Sequence, residues 1–186
     1  MLYTKKTCSI GIGSFLCLSL IFSCENYGKD IKNKPTGKKA YATLNPTKDN
    51  KVSGEIRFIT IDKGVRVVAQ IKDLSPGYHG IHIHEFGDCS APDASSAGGH
   101  FNPEGNIHAG PEDLPRHIGD LGNVFADRHG NAYYDRVDFS LSLSGSESII
   151  GKSVIIHEKR DDYVSQPTGN AGPRIACGVI QEDSRK

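Results

Sequence analysis

Eight histidines occur in 186 residues, and six of them (His79, His82, His84, His100, His108 and His117) fall within the 42 positions from His79 to Asp120. Imidazole is the commonest protein ligand for metals, so clustering of that density reads as a metal site. His82 and His84 are two apart in a strand-like run, and side chains at that spacing leave the same face of a strand. They can therefore sit side by side around one ion. His100, His108 and His117 follow at spacings of eight and nine, with Asp120 three later. That stretch is rich in Gly, Pro and Ser and can curl the series around a second ion. Three imidazoles with one carboxylate match tetrahedral Zn²⁺, whereas an imidazole-only planar set suits Cu(II).

The elements that must carry these ligands show a period of two. Val65, Val67, Ala69 and Ile71 alternate with Arg66, Val68, Gln70 and Lys72, the pattern of a strand with one buried face. Residues 56–61 repeat it, and Asp62-Lys63-Gly64 between the two runs makes a hairpin turn. Further strands are expected over 41–45, 79–85, 122–127, 131–141, 153–157 and 175–181. Eight short strands without a helical stripe predict an all-β antiparallel sandwich or barrel. Residues 86–120 and 158–174 are too long for ordinary connections and are read as functional loops.

The N-terminal 23 residues read as a targeting segment. Lys5 and Lys6 precede an apolar run over 10–22, too short to span a bilayer as a helix. Leu20-Ile21-Phe22-Ser23-Cys24 resembles a bacterial lipoprotein box, with Cys24 lipidated. The alternative is an ordinary signal peptide cut nearby. Either reading exports the protein, and the first anchors it to a membrane of the periplasm or cell envelope. Residues 24–39 are polar and lysine-rich, a tether, and the folded domain is expected over 40–186. Without Lys5 and Lys6, 20 basic residues face 22 acidic ones, a formal charge of −2. Nothing in that balance calls for nucleic acid.

Cys8 and Cys17 lie in the targeting segment. If Cys24 carries lipid, Cys89 and Cys177 remain for one bridge in an oxidising compartment. Closing a loop of 88 residues is worth at most about 4–5 kcal/mol in the chain-entropy picture. The alternative, two cysteine metal ligands, lacks the usual short-range cysteine partners.

Several stretches together resemble the copper/zinc superoxide dismutase family. They are Gly80-Ile81-His82-Ile83-His84-Glu85-Phe86-Gly87-Asp88, Gly99-His100-Phe101-Asn102-Pro103, Arg116-His117-Ile118-Gly119-Asp120-Leu121-Gly122-Asn123, Val154-Ile155-Ile156-His157-Glu158-Lys159, and Gly169-Asn170-Ala171-Gly172-Pro173-Arg174-Ile175-Ala176-Cys177-Gly178-Val179-Ile180. The match runs from about Ala40 to Gln181. It implies an eight-stranded antiparallel Greek-key barrel with two long functional loops, and one copper and one zinc per chain. By resemblance His82, His84, His100 and His157 bind copper, and His100, His108, His117 and Asp120 bind zinc, with His100 shared. Asp161 would join His82 to His108 from behind, fixing ring orientation and tautomer. Arg174 would attract the anionic substrate, and Cys89 would be bridged to Cys177. The implied activity is disproportionation of superoxide to dioxygen and hydrogen peroxide by alternate reduction and oxidation of copper, with His100 storing a proton.

A rival is a non-enzymatic copper-binding or copper-delivery module on the same fold. Carriers of that kind tend to lose copper ligands or the anion-site arginine, and all are present here. A copper-only form is disfavoured by the complete zinc set. His79 is read as structural, His129 as a solvated turn residue, and Glu85 and Asp88 as holding the loop. The chain also departs from the animal pattern. The loop over 158–174 is shorter, and Tyr163-Val164-Ser165-Gln166-Pro167 lacks the charged residues that help to steer substrate there. The end Gln181-Glu182-Asp183 is polar where the animal dimer surface is apolar, which leaves a monomer or a different homodimer.

Overall fold

The computed structural model describes residues 35–184. The targeting segment, Cys24 and most of the tether lie outside the described residues. Nine strands run in chain order: β1 (Lys39–Pro46), β2 (Ser53–Thr60), β3 (Val65–Lys72), β4 (Gly77–His84), β5 (Asp120–Ala126), β6 (Ala132–Asp138), β7 (Ser153–His157), β8 (Arg174–Val179) and the two-residue β9 (Gln181–Glu182). A short 3₁₀ turn, Ser95–Ala97, sits in the β4–β5 connection. The spatial order is β2-β3-β6-β5-β4-β7-β8-β1-β9, and β1 pairs again with β2. Eight antiparallel strands therefore close on themselves, and the crossings β3→β4 and β6→β7 are Greek-key connections. Closure removes the sheet edges that would otherwise expose unpaired backbone.

The alternation read in the sequence points the apolar set inward. Val65, Val67, Ala69 and Ile71 of β3, Ile56 and Phe58 of β2, and Ile81 and Ile83 of β4 share one core. β4 behaves differently from β3, because His79 to His84 are buried on both of its faces. Its inner face, Ile81 and Ile83, lines the barrel. Its outer face, His82 and His84, lies beneath the two long loops. A second, smaller cluster forms on the outside of the barrel from Ala94, Ala97, Ile155 and Cys177, with Cys89 packed against it. The Cys89–Cys177 disulfide, with Cα atoms 5.8 Å apart, staples the β4–β5 loop to β8 there.

Two details differ from the sequence reading. The strand expected over 131–141 stops at Asp138. The Asp138 carboxylate accepts the backbone N–H groups of Ser140 and Leu141 and is ion-paired with the buried Arg116 at 2.7 Å. That turn competes with strand continuation. The run over 175–181 is interrupted at Ile180, whose backbone bonds Lys152 and Gly151 instead of continuing the ladder. At the polar C-terminal end, Glu182 is ion-paired with Lys38 at 3.2 Å on the surface.

Candidate metal centre

β4 and β7 are neighbours, with His82 opposite Ile155 and His84 opposite Ser153. The register of β7 against β8 shifts between Ile156 and His157, and the residue the bulge leaves over is Ile175 of β8. Ile155 faces the outer cluster, so strand alternation sets His157, two residues on, on the same outer face as His82 and His84. The β4–β5 loop returns to the same edge, where Glu85 N–H donates to Gly99 O and Phe101 N–H donates to Ile83 O. This places His100 opposite His84.

Two groups of side chains result, each with its ligand atoms within 4.8 Å of one another: His82, His84, His100 and His157, and His100, His108, His117 and Asp120. All seven residues are buried. In the first group the ring centroids lie 4.0, 4.9, 5.1 and 5.6 Å apart along four edges. Two longer separations, His82–His84 at 6.4 Å and His100–His157 at 6.3 Å, are its diagonals. The rings outline a distorted quadrilateral, the arrangement suited to tetragonal Cu(II). In the second group His100, His108 and His117 form a nearly equilateral triangle with sides of 5.4, 5.5 and 5.6 Å. Asp120 closes it. Its Oδ1 lies 2.8, 2.9 and 3.2 Å from the Nδ1 atoms of His100, His108 and His117. Ligands bound about 2.0–2.1 Å from a tetrahedral ion are separated by about 3.3 Å, so this group needs little adjustment to hold Zn²⁺.

The outer hydrogen bonds fix which nitrogen of each ring faces inward. His82 Nε2–H donates to Asp161 Oδ2 at 2.7 Å, and His108 Nε2–H donates to Asp161 Oδ1 at 2.9 Å. His84 Nδ1–H donates to Gly98 O and His157 Nδ1–H to Gly172 O, both at 3.0 Å, and His117 Nε2–H donates to Asn106 O at 3.1 Å. In a neutral imidazole the other nitrogen is then a lone pair. His82 Nδ1, His84 Nε2, His100 Nε2 and His157 Nε2 are buried with no hydrogen-bond partner in the protein. Leaving a buried polar atom unsatisfied costs about 1–3 kcal/mol, and converging lone pairs repel. A cation resolves both. His100 alone has a ring nitrogen in each group.

Arg174, at the start of β8, is half-buried. Its guanidinium donates to Ala94 O and Gly98 O, each at 2.6 Å. Gly98 O thus accepts from both Arg174 and His84, and one carbonyl registers the cation against the ligand. Gly98 has φ of +74°, and a Cβ there would come within 2.7 Å of the Phe86 ring, so the position demands glycine. Burial is the main cause that lowers the pKa values of His84 and His157, and the nearby charge of Arg174 lowers both further.

Comparison with known proteins agrees with this geometry. The sequence profile described as copper/zinc superoxide dismutase (SODC) matches residues 52–180. The chain is 48% identical over 136 residues to superoxide dismutase [Cu-Zn] A of Xenopus laevis, covering 69% of this chain and 89% of that protein. It is 40% identical over 150 residues to the extracellular superoxide dismutase [Cu-Zn] of Brugia pahangi, covering 76% of this chain and 74% of that protein. The chain belongs to the copper/zinc superoxide dismutase family. Among solved structures, the crystal structure of the clock protein EA4 is similar at a TM-score of 0.72 and 45% identity, covering 79% of this chain and 94% of that one.

The two groups of this dismutase differ electrostatically. Burial holds His82 and His84 well below the ordinary histidine range and brings His157 down to about 4. Burial also lowers His100, against the pull of Asp120. These imidazoles are kept neutral, which is the form that ligates. Burial works against protonated His108 too, but hydrogen bonds to Asp120 and Asp161 outweigh it and hold its pKa up at about 9. Burial raises the Asp120 carboxyl, yet the surrounding imidazoles overcome this and keep it far below the usual carboxylate range.

Three supporting carboxamides went unassigned from sequence: Asn102, Asn123 and Gln166. Asn102 and Asn123 lie inside the recognised motifs, where amide beside ligand was the available signal. Gln166 sits in the stretch read as merely lacking charge. The structure places His79 outside both groups, its ring bonding the carbonyls of His157 and Ser75 at 2.9 and 2.8 Å. His129 lies in an exposed turn.

Proposed function

We propose that this chain disproportionates superoxide, two superoxide ions and two protons giving one dioxygen and one hydrogen peroxide. Copper is assigned to His82, His84, His100 and His157, and zinc to His100, His108, His117 and Asp120. The observation that carries the reading is His100, the one ring with an inward nitrogen in each group. Copper supplies the one-electron redox chemistry when bound, and zinc, which has none, supplies a second charge. The chain's residues contribute the rest. His84, His157 and His82 are oriented by Gly98 O, Gly172 O and Asp161, so their lone pairs stay aimed without rearrangement. His100 Nε2, with no other acceptor in the protein to satisfy it, is where a proton is held and passed to the reduced substrate; the second proton comes from solvent. Arg174 presents a fixed cation beside His84 and His157, and it draws in the anion.

The test is metal analysis with an activity assay. Protein holding about one copper and one zinc per chain is expected to remove superoxide. Copper-loaded protein inert toward superoxide would leave the carrier reading instead.

Export and anchoring belong to the same proposal. They are supported by the apolar run over 10–22 ending at Cys24, the Cys89–Cys177 disulfide, and likeness to a relative named extracellular. Residues 1–23 are assigned as a signal peptide of lipoprotein type, 24–39 as the tether and 40–186 as the dismutase domain. Cys24→Ser is expected to move the protein from the membrane to the soluble fraction. Unchanged partitioning counts against lipidation.

A further inference from the structure

Main-chain groups outside strands still need partners when covered, and the two long connections, over 85–119 and 158–173, have little regular structure to supply them. Three carboxamide side chains do so in the same manner, each engaging both the N–H and the C=O of one residue. Asn102 holds Asn106, accepting from its N–H and donating to its C=O, both at 2.9 Å. Asn106 O is the acceptor that orients His117. Asn123 holds Asp161 at 2.8 and 3.0 Å. Gln166 holds His108, with Oε1 accepting from His108 N–H and Nε2 donating to His108 C=O, both at 2.8 Å.

The Gln166 contact differs from the other two because it joins the two long loops and acts on a ligand directly. Asp161, five residues earlier on the same loop, binds the ring of His108. One loop therefore grips His108 twice, at its main chain and at its imidazole. The loop closes tightly behind that grip. Gly169 O accepts from Asp162 N–H, and a Cβ on Gly169 would fall 1.9 Å from Asp161 Oδ1 and 2.6 Å from His108 Nε2. Gln166 Nε2 also donates to Val164 O at 3.2 Å, which fixes the amide against its own loop.

The geometry points to Gln166 as a positioning residue for zinc: its amide sets the main chain of His108 so that Nδ1 faces Asp120 before an ion arrives. The inference rests on the assignment of zinc to His108. It gives the uncharged stretch from Tyr163 to Pro167 a holding role in place of a steering one.

Gln166→Met keeps the length of the side chain and deletes both hydrogen bonds. Gln166→Glu keeps the acceptor for His108 N–H and loses the donor. In the copper- and zinc-loaded protein, zinc loss to a chelator is expected to be about 10–100-fold faster in Gln166→Met, the range typical of removing a partner that orients a metal ligand. Gln166→Glu is expected to fall between it and the parent, with copper loss little changed in both. With Co²⁺ in the zinc position at saturation, the visible bands of Gln166→Met are expected to differ from those of the parent. Zinc loss as slow as in the parent overturns the proposal, and so does equal acceleration of both metals. If Gln166→Met does not fold, the comparison of Gln166→Glu with the parent decides by the same criteria. A parent that gives no tetrahedral Co²⁺ spectrum refutes the zinc assignment itself, a result distinct from the failure of Gln166.

Discussion

In one half of the centre every donor is an imidazole, and three of the four, His82, His84 and His157, stand on β4 and β7. In the other half, His100, His108 and His117 all stand on the β4–β5 connection, and only Asp120 belongs to a strand. The first half inherits its shape from a β-ladder that exists for its own reasons. The second has no such scaffold, and side-chain amides, a buried ion pair and Asp161 hold it. The difference teaches that a fold can aim one set of metal-ligating side chains with strands and leave the neighbouring set to be organised by loops.

The sharpest way to break the comparison is to remove what the halves share. His100→Ala is expected to reduce superoxide removal by about 10²–10⁴-fold through loss of a positioned proton donor alone, with impaired retention of both metals. Loss confined to one metal would show the halves to be independent. Asp161→Asn severs the link behind His82 and His108, and each metal is expected to bind about 10–100-fold more weakly, measured by competition with chelators. Weakening on the zinc side alone would place Asp161 with the loops. Arg174→Ala leaves all seven ligands in place; about a tenfold loss of rate and a flatter dependence on ionic strength are expected, read in salt-dependent kinetics.

The smallest effect is on the stability of metal-free protein, where the halves predict opposite slopes. His157 titrates near 4 when folded and near 6.5 when unfolded. Between these values the unfolded chain binds more protons, so stability is lost as pH falls from about 6.5 to 4. His108 titrates near 9 when folded, so its contribution is present below about 6.5 and lost as pH rises through 9. Thermal midpoints from pH 4 to 9 are expected to peak between the two limbs. His157→Ala is expected to make the acid limb shallower, with His82 and His84 sustaining the rest of it, and to leave the alkaline limb as it was.

The barrel was legible because period-two alternation is a direct imprint of a one-sided strand, as in β3. Strand ends were less so. Nothing apolar marks Ser53 to Glu55, yet their backbones pair with Lys72 to Gln70, and Asp138 ends β6 through hydrogen bonds that periodicity does not register. Among the site residues, histidine type and spacing carried the signal, and motif order supplied His157, Asp161 and Arg174, which lie far away in sequence. Gln166 had no such signal, because a glutamine that binds main chain has no required spacing to the residue it holds.

β4 places Ile81 and Ile83 inside the barrel and His82 and His84 outside it. A strand has only two faces, so a slip of one residue exchanges the sets completely. A misaligned chain would thrust imidazoles into hydrocarbon and offer isoleucine to the ions. Correct pairing is thus selected twice over, by what the interior rejects and by what the metals require, and a molecule that fails the first test cannot pass the second.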